Sequence, residues 1–175
     1  LENRQQRDLL QIARDELENK VAERTEELRA SNEAIKDLYN NAPCGYHSLD
    51  KDGFIILIND TELRWLGYSR DEIIGKLTIR DLFTPNSLKT FEANFQGFKE
   101  RGWVSDLEFE MVRKDGTLLP VLLNATAIKD SDGNYVMSRS TIFDNTEHKR
   151  AEQALRESEE HFRSFVENAN DIVYT

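Results

Sequence analysis

The sequence predicts an α+β fold in which a five-stranded antiparallel sheet carries a helical insert between strands 2 and 3. Three observations support this prediction. Asp-Gly turns separate apolar runs at 50–53, 113–116 and 130–133, a pattern that favours β-hairpins because glycine adopts the positive φ of such turns. Residues 59–102, after the second run, have helical character. Residues 2–38 contain neither Gly nor Pro and predict a long helix before the sheet.

The N-terminal segment, residues 2–38, repeats apolar side chains in a heptad, which predicts a coiled-coil helix. β-Branched residues at one core position and Leu at the other favour a parallel two-stranded coil. The alternative is a lone amphipathic helix packed on its own domain, but the seam is longer and narrower than one small domain covers. We therefore expect a homodimer through a seam of Leu10, Leu17, Val21, Leu28, Ile35 and Leu38.

The strands and insert helices follow from local signals. Capping residues are expected at Asn59 or Asp60, at Ser69, and at Thr84, where Pro85 takes the first helical position. The last insert helix places Leu88, Phe91, Phe95 and Phe98 on one face. The Asp-Gly turns delimit predicted strands at 45–50, 53–58, 105–113, 117–129 and 134–143.

The C-terminal segment begins without a flexible break, because no Gly or Pro separates the last strand from a connector helix predicted at 146–163. Residues 158–169 echo residues 31–42 with their apolar positions in phase, and a repeat at domain spacing predicts a tandem array. The predicted divisions are a coiled-coil helix at 1–38, the α+β domain at 39–145, the connector at 146–163, and the start of a second, truncated copy at 164–175.

Composition excludes several classes of function. The formal charge of −10 argues against a nucleic-acid partner, because phosphate binding needs clustered Lys and Arg. The single Cys44 excludes an internal disulfide, and with His47 it makes too few ligands for a structural metal site. No phosphate loop or nucleophile arrangement indicates catalysis. No apolar run approaches the roughly 18 residues of a membrane span, so we expect a cytoplasmic region, whose parent protein is either free or anchored upstream.

Three motifs stand in order along the α+β domain. They are Asn59-x3-Leu63-x2-Leu66-Gly67-Tyr68-x3-Glu72-x2-Gly75, then Lys114-Asp115-Gly116 at a hairpin, then Asp144-Asn145-Thr146-x2-Lys149 at the end. In this order and at these spacings they resemble the PAS domain family, over roughly Ser31 to Lys149. Asn145 stands where the family usually has Ile, a departure that affects a small apolar contact and not the fold.

The resemblance implies a sensory and dimerisation module of a bacterial signalling protein. The flanks agree, because residues 22–28 resemble the signalling helices of sensor histidine kinases and residues 151–163 resemble connectors between tandem PAS domains. Such a module binds a small molecule between sheet and insert, or relays helix motion, toward a kinase or cyclase domain outside this chain. A two-component sensor kinase is the expected parent, and a ligand-free interaction scaffold is the alternative.

His47 is the polar residue most worth following in the predicted first strand. Strand alternation groups it with the apolar Leu49 and opposite Tyr46, which favours an inward side chain. An inward His either contacts a ligand, as a hydrogen-bonding group or a haem ligand, or is a neutral core residue satisfied by a neighbour. The family's flavin photochemistry needs a Cys in the insert, and its usual haem mode a His on the long insert helix. Residues 59–102 lack Cys and 85–101 lack His, so the cofactor stays unknown, with haem on His47 as an alternative.

Two groups of site residues are expected. Asp144 is expected to accept from backbone N–H groups at the start of the connector helix, with Thr146 helping to cap it and Lys149 on its first turns. This stiff joint predicts transmission from sheet to helix. The expected ligand-pocket residues are His47, Tyr46, Phe91, Phe95, Trp65 and Met111.

Overall fold

The structure is a computed structural model that describes residues 2–173, with side chains described at residue 6 and from 8 to 165. Internal contacts divide the chain into two compact units, and the boundary in the sequence falls between Asn41 and Ala42. Within the described residues, no helix combines the length and apolarity that crossing a membrane requires. The elements in chain order are α1 (Glu2–Asn40), β1 (Gly45–Asp50), β2 (Ile55–Ile58), α2 (Asp60–Leu66), α3 (Arg70–Ile73), a 3₁₀ helix (Ile79–Leu82), α4 (Pro85–Arg101), β3 (Trp103–Val112), β4 (Leu118–Lys129), β5 (Tyr135–Asp144) and α5 (Thr146–Val173).

Helix α1 forms the first unit and runs without interruption. Its surface carries ion pairs one turn apart, such as Arg14 with Glu18 at 2.8 Å and Arg29 with Glu33 at 3.1 Å. The six predicted seam residues are between 57% and 73% exposed in the single chain. The apolar stripe is therefore uncovered within one protomer, and the coiled-coil dimer stays a prediction.

The second unit is built on one antiparallel sheet with the strand order β2-β1-β5-β4-β3. β3, β4 and β5 form a meander, and β5 returns beside β1, so β2 and β3 are the edge strands. The predicted fold class is confirmed: five antiparallel strands lie close to their expected positions, and the helical insert joins strands 2 and 3.

Capping residues set the boundaries of the insert helices, as predicted. The Asn59 side chain accepts a hydrogen bond from the Glu62 N–H at 3.0 Å and begins α2, and Gly67, with φ 77°, ends it. Ser69 supplies the capping box of α3, and Thr84 caps α4. These short-range contacts let the insert turn back over the sheet, where its apolar side chains enter the core.

The hydrophobic core lies between the inner face of the sheet and the insert. Burying such side chains contributes about 1.5–3 kcal/mol each relative to leaving them in water. The side chains of the core that are buried almost completely come from both the sheet and the insert, and they include Ile55, Ile58, Leu66, Ile73, Ile79, Leu82, Met111, Leu119 and Ile142.

Helix α5 corrects the expected end of the connector. It continues past residue 163 to Val173, so Ile172 and Val173 are helical, although the echo of residues 31–42 aligns them with Gly45 and Tyr46 at the start of the first predicted strand. An extended helix satisfies its own backbone hydrogen bonds, whereas a strand needs a neighbouring strand to do so. The second copy proposed for 164–175 stays a prediction, and its residues 174–175 lie outside the described part of the chain.

Candidate functional site

A cavity lies between the inner face of the sheet and helix α4. Its free volume is about 40 Å³, and its walls are almost entirely apolar. A single buried water needs roughly 10–15 Å³ measured in this way, so the cavity has room for a few water-sized groups. The residues that line it are His47, Leu49, Ile79, Phe83, Phe91, Asn94, Phe95, Phe98, Val104, Leu107, Phe109, Leu123, Ala125, Ser138 and Ser140.

Aromatic rings form the wall on the insert side. Phe83 stacks on Phe109 of β3 with ring centroids 4.8 Å apart, and Phe91 stacks on Phe95 at 5.1 Å. Tyr135 of β5 meets Phe95 edge-on at 6.0 Å, and burial raises the pKa of its phenol. Phe95 therefore joins α4 to β5, and Phe83, which lies between the 3₁₀ helix and α4, joins the insert to β3.

His47 and Glu62 form a buried polar pair beside this apolar space. The Nδ1 atom of His47 on β1 lies 2.8 Å from Oε1 of Glu62 on α2, and the two side chains are 1% and 0% exposed. The remaining polar atoms, Nε2 of His47 and Oε2 of Glu62, are buried and have no hydrogen-bond partner in the protein. Buried polar groups are normally satisfied, so this pair calls for an explanation.

The structure brings together half of the predicted pocket residues. His47, Phe91 and Phe95 line the cavity, and their contact with a ligand stays a prediction. Tyr46 does not line it: this side chain is 36% exposed, because strand alternation turns it opposite to His47. Trp65 lies instead in a surface groove with Arg113 and Lys114, while Met111 is fully buried core rather than lining.

Sequence reasoning missed several residues of the site. Glu62 stands three residues after the Asn59 cap, where a carboxylate usually reaches back to the helix start, and its sequence position gives no sign that it turns inward to His47. Ser138 and Ser140 were also missed, because polar residues on a strand are usually expected to face solvent. Side chains alternate along β5, but its buried positions include the polar Ser138 and Ser140 as well as Ile142, and Phe143 is 45% exposed.

The joint between sheet and α5 is held by three contacts. Asp144 Oδ1 accepts from the Thr146 N–H at 2.8 Å, and the Asn145 N–H donates to the Pro120 carbonyl at 2.9 Å. Lys149 Nζ lies 2.7 Å from Glu108 Oε2 on β3. The expected capping by the Thr146 hydroxyl is wrong: that oxygen is buried without a partner, since Thr146 is already inside the first turn.

The Glu108–Lys149 ion pair of the joint uses a residue of β3 whose neighbour in the chain lines the cavity. The hydrogen bond to Glu108 raises the pKa of Lys149, with a smaller contribution from Glu152. Glu108 is exposed, whereas the following residue, Phe109, is 4% exposed and lines the cavity. Because side chains alternate along a strand, one peptide unit of β3 connects the cavity wall to the first turns of α5.

Neither haem nor a metal ion fits this site. His47 has the chemistry of an axial ligand, with Nδ1 oriented by a carboxylate. However, the free volume of 40 Å³ is far below the roughly 300–1,000 Å³ of pockets for drug-sized ligands, and a porphyrin is at least that large. Nor do the described residues contain a group of three or more His, Cys, Asp or Glu placed to bind a metal ion.

Comparisons with known proteins agree on one family. A family model described as a PAS domain matches residues 43–147. The phosphoserine phosphatase RsbP of Bacillus subtilis (strain 168) is 33% identical over 92 residues, which are 53% of this chain and 23% of that protein. The sensor kinase CckA of Brucella abortus (strain 2308) is 28% identical over 139 residues, 78% of this chain and 14% of that protein. The chain thus spans less than a quarter of the length of either relative.

Solved structures with the same fold include the PAS domain of an HTR-like protein from Haloarcula marismortui. It has a TM-score of 0.57 and 21% identity, covering 70% of this chain and 98% of that one. A sensory box histidine kinase/response regulator from Burkholderia thailandensis E264 has a TM-score of 0.59 and 20% identity, covering 74% of this chain and 98% of the other. At these identities the likeness supports the fold alone.

Proposed function

The chain belongs to the PAS domain family, and from this membership we propose that it is the sensory and relay module of a bacterial signalling protein. The PAS domain itself is a non-catalytic sensory module. In the proposal, it works in the cytoplasm, within a two-component sensor histidine kinase. The relatives, a sensor kinase and a phosphatase, support an output enzyme elsewhere in the parent protein.

The observation that carries this proposal is that Glu108 and Phe109 are consecutive residues of β3. Phe109 lines the cavity, and Glu108 holds Lys149 of α5 at 2.7 Å. A ligand that displaces the Phe109 ring therefore also displaces the anchor of the output helix. The Asp144 cap keeps the beginning of that helix on the sheet, so movement at Lys149 becomes a change in helix direction.

A fusion of the chain through Val173 to a histidine-kinase core tests this relay. Ala125→Val fills part of the cavity and imitates an occupant, so we expect it to change the autophosphorylation rate. Lys149→Met is expected to reduce that response by up to about fivefold, since a partly exposed ion pair contributes at most about 1 kcal/mol. The charge exchange of Glu108→Lys with Lys149→Glu is expected to restore part of it.

A matched control lies on the same helix. Arg156 forms an ion pair with Glu160, one turn further along α5, at 3.0 Å, and its side chain is 74% exposed. Arg156→Met is therefore expected to leave the response to Ala125→Val unchanged. An equal response in the Lys149→Met and Arg156→Met fusions would show that Glu108 and Lys149 do not carry the signal.

The uncovered seam of α1 supports a homodimer, with a second copy of the same helix as its partner. Six heptad positions stay exposed, and the pairing of β-branched residues with Leu fits a parallel two-stranded coil. Leu28→Asp places a charge in this seam and is expected to convert the dimer to a monomer in sedimentation equilibrium. Asn19→Asp, outside the seam, is the control for charge alone. A monomeric unmodified chain at high concentration would remove dimerisation from the proposal.

The small size of the cavity favours a second candidate, a relay or interaction scaffold that binds no ligand. In that case motion arriving through α1 would pass through the sheet without a change in cavity occupancy. The same fusion separates the two candidates, because a pure scaffold gives no response to Ala125→Val. An absorption spectrum tests the haem alternative: a Soret band after removal of free haem, lost in His47→Ala, would contradict the poor fit described above.

A further inference from the structure

The protonation of the His47–Glu62 pair decides which molecules the cavity can hold. Nδ1 of His47 and Oε1 of Glu62 are 2.8 Å apart, so one proton lies between them. Both side chains are excluded from water, at 1% and 0% exposure. Among the described residues, those lining the cavity include no Asp, Glu, Lys or Arg that could balance a net charge.

Three arrangements of protons are chemically available to the pair. A neutral imidazole that donates from Nδ1 to a carboxylate leaves Nε2 unprotonated, and the pair then carries a net negative charge. An imidazolium beside a carboxylate is neutral overall, as is a neutral imidazole that accepts at Nδ1 from a protonated Glu62. Isolated charge is strongly disfavoured in an apolar interior, which selects the two neutral arrangements.

Both neutral arrangements place a hydrogen on Nε2. This atom lies on the side of the ring away from Glu62, is buried, and has no acceptor in the protein. His47 is one of the lining residues of the cavity. An unused N–H donor at the wall of an apolar space costs about as much as a lost hydrogen bond, so an occupant that accepts from it is favoured.

We propose that the cavity selects a small, uncharged, mainly apolar molecule whose one hydrogen-bond acceptor, a carbonyl oxygen or ring nitrogen, accepts from Nε2 of His47. This inference rests on the proposed sensory function of the cavity and names the chemistry of its ligand. A carboxylate ligand is disfavoured because it would add a net negative charge to an apolar space beside a pair that is neutral overall. The aromatic wall of Phe91, Phe95 and Phe109 supplies the apolar contact area, and the free volume limits the ligand to a few heavy atoms.

Two probes of nearly equal shape test this chemistry in the full chain. Acetone has a carbonyl acceptor, and 2-methylpropene has an apolar CH₂ group in its place. We expect the ketone to bind about tenfold more tightly, as one net hydrogen bond in a protein interior predicts. Binding is followed by NMR titration of ¹⁵N-labelled protein, and the ¹⁵N shifts of the His47 ring report in the same samples whether Nε2 carries a hydrogen.

The double variant His47→Leu with Glu62→Leu is the control, because it removes the donor without leaving a buried unpaired charge. Equal binding of the two probes by this variant, with the ketone preferred by the unmodified protein and a protonated Nε2, supports the inference. Equal binding by the unmodified protein, or an unprotonated Nε2, overturns it and leaves the sensory cavity intact. Binding of neither probe overturns the ligand class, and the response of the kinase fusion to Ala125→Val then decides separately whether the cavity controls output.

Discussion

Replacing only one residue of the buried His47–Glu62 pair is predicted to lower the free energy of unfolding much more than replacing both. His47→Leu leaves the Glu62 carboxyl unpaired at 0% exposure, and truncating one partner of a buried pair costs roughly 3–5 kcal/mol. Glu62→Leu leaves a neutral imidazole with an unpaired Nδ1, a loss of about 1–3 kcal/mol. Replacing both residues by Leu is expected to change the free energy of unfolding by less than about 1 kcal/mol, since volume is nearly kept.

The assay is urea unfolding followed by tryptophan fluorescence. Both tryptophans of the chain, Trp65 and Trp103, lie in the second unit, so α1 does not contribute to the signal. The three variants and the parent form a double-mutant cycle, in which we expect an interaction energy of roughly 4–8 kcal/mol, since the two single losses sum to that range and the double replacement costs little. Tyr46→Leu on the same strand is the control, because this side chain is 36% exposed and its loss is expected to cost under about 1 kcal/mol.

Additive effects in the cycle would refute the reasoning. Additivity within about 0.5 kcal/mol would mean that the two side chains do not depend on each other for burial. The neutral-pair argument for an N–H on Nε2 would then lose its physical basis, whatever the probes show. A change in the slope of unfolding free energy against urea, rather than in the midpoint, would indicate altered compactness instead of lost pairing.

Further predictions concern packing, helix propensity and charge. Gly45→Ala is expected to destabilise the second unit by about 1–3 kcal/mol in the same urea assay, because its Cβ would lie 2.9 Å from Ile142 Cδ1. Gly97→Ala, which meets only the end of a flexible side chain, should stabilise α4 by about 0.5–1 kcal/mol. Hydrogen bonds from Lys114 and the cap of α3 lower the pKa of Glu72 to about 2, so its stabilising contribution is full above pH 4.5 and disappears as the pH falls through 2. Lys114→Met is expected to raise this pKa in a ¹³C NMR titration of the carboxyl, and an unchanged value would contradict the assignment to Lys114.

The parts of the fold that sequence predicted best are those set by neighbours in the chain. Turn glycines, the caps at Asn59 and Thr84, and the apolar face of α4 depend on residues within a few positions, so local pattern identifies them. The inward direction of His47 also followed from alternation with Leu49. These local patterns can be recognised without knowing which residues pack against them in the fold.

The parts that sequence missed depend on contacts across the fold. Glu62 meets His47 only because α2 turns back over β1, fifteen residues earlier in the chain, and its helical position alone suggests a cap. Ser138 and Ser140 face inward because the register of β5 between β1 and β4 determines its buried face, against the polarity of its residues. Asn145 stands at the usually apolar position of the motif, and its contact to Pro120 is made by the backbone N–H, which does not depend on the side chain.

The relay proposed above requires one element that can move while its neighbours stay fixed, and β3 has the properties of that element. It is an edge strand, paired with β4 on one side, and near its end Glu110 also accepts from the Thr84 N–H at 3.1 Å and donates its own N–H to Ser87 Oγ at 2.7 Å. Its register shifts between Val104 and Leu107, where Asp106 has a φ of 54° and its N–H is held by Asn124 at 3.0 Å. A bulge lets a strand shift locally without unpairing the rest of the sheet. The bulge lies between two cavity-lining residues, Val104 and Leu107, and Glu108 follows directly, so a local shift there would move the anchor of α5 about the Asp144 cap.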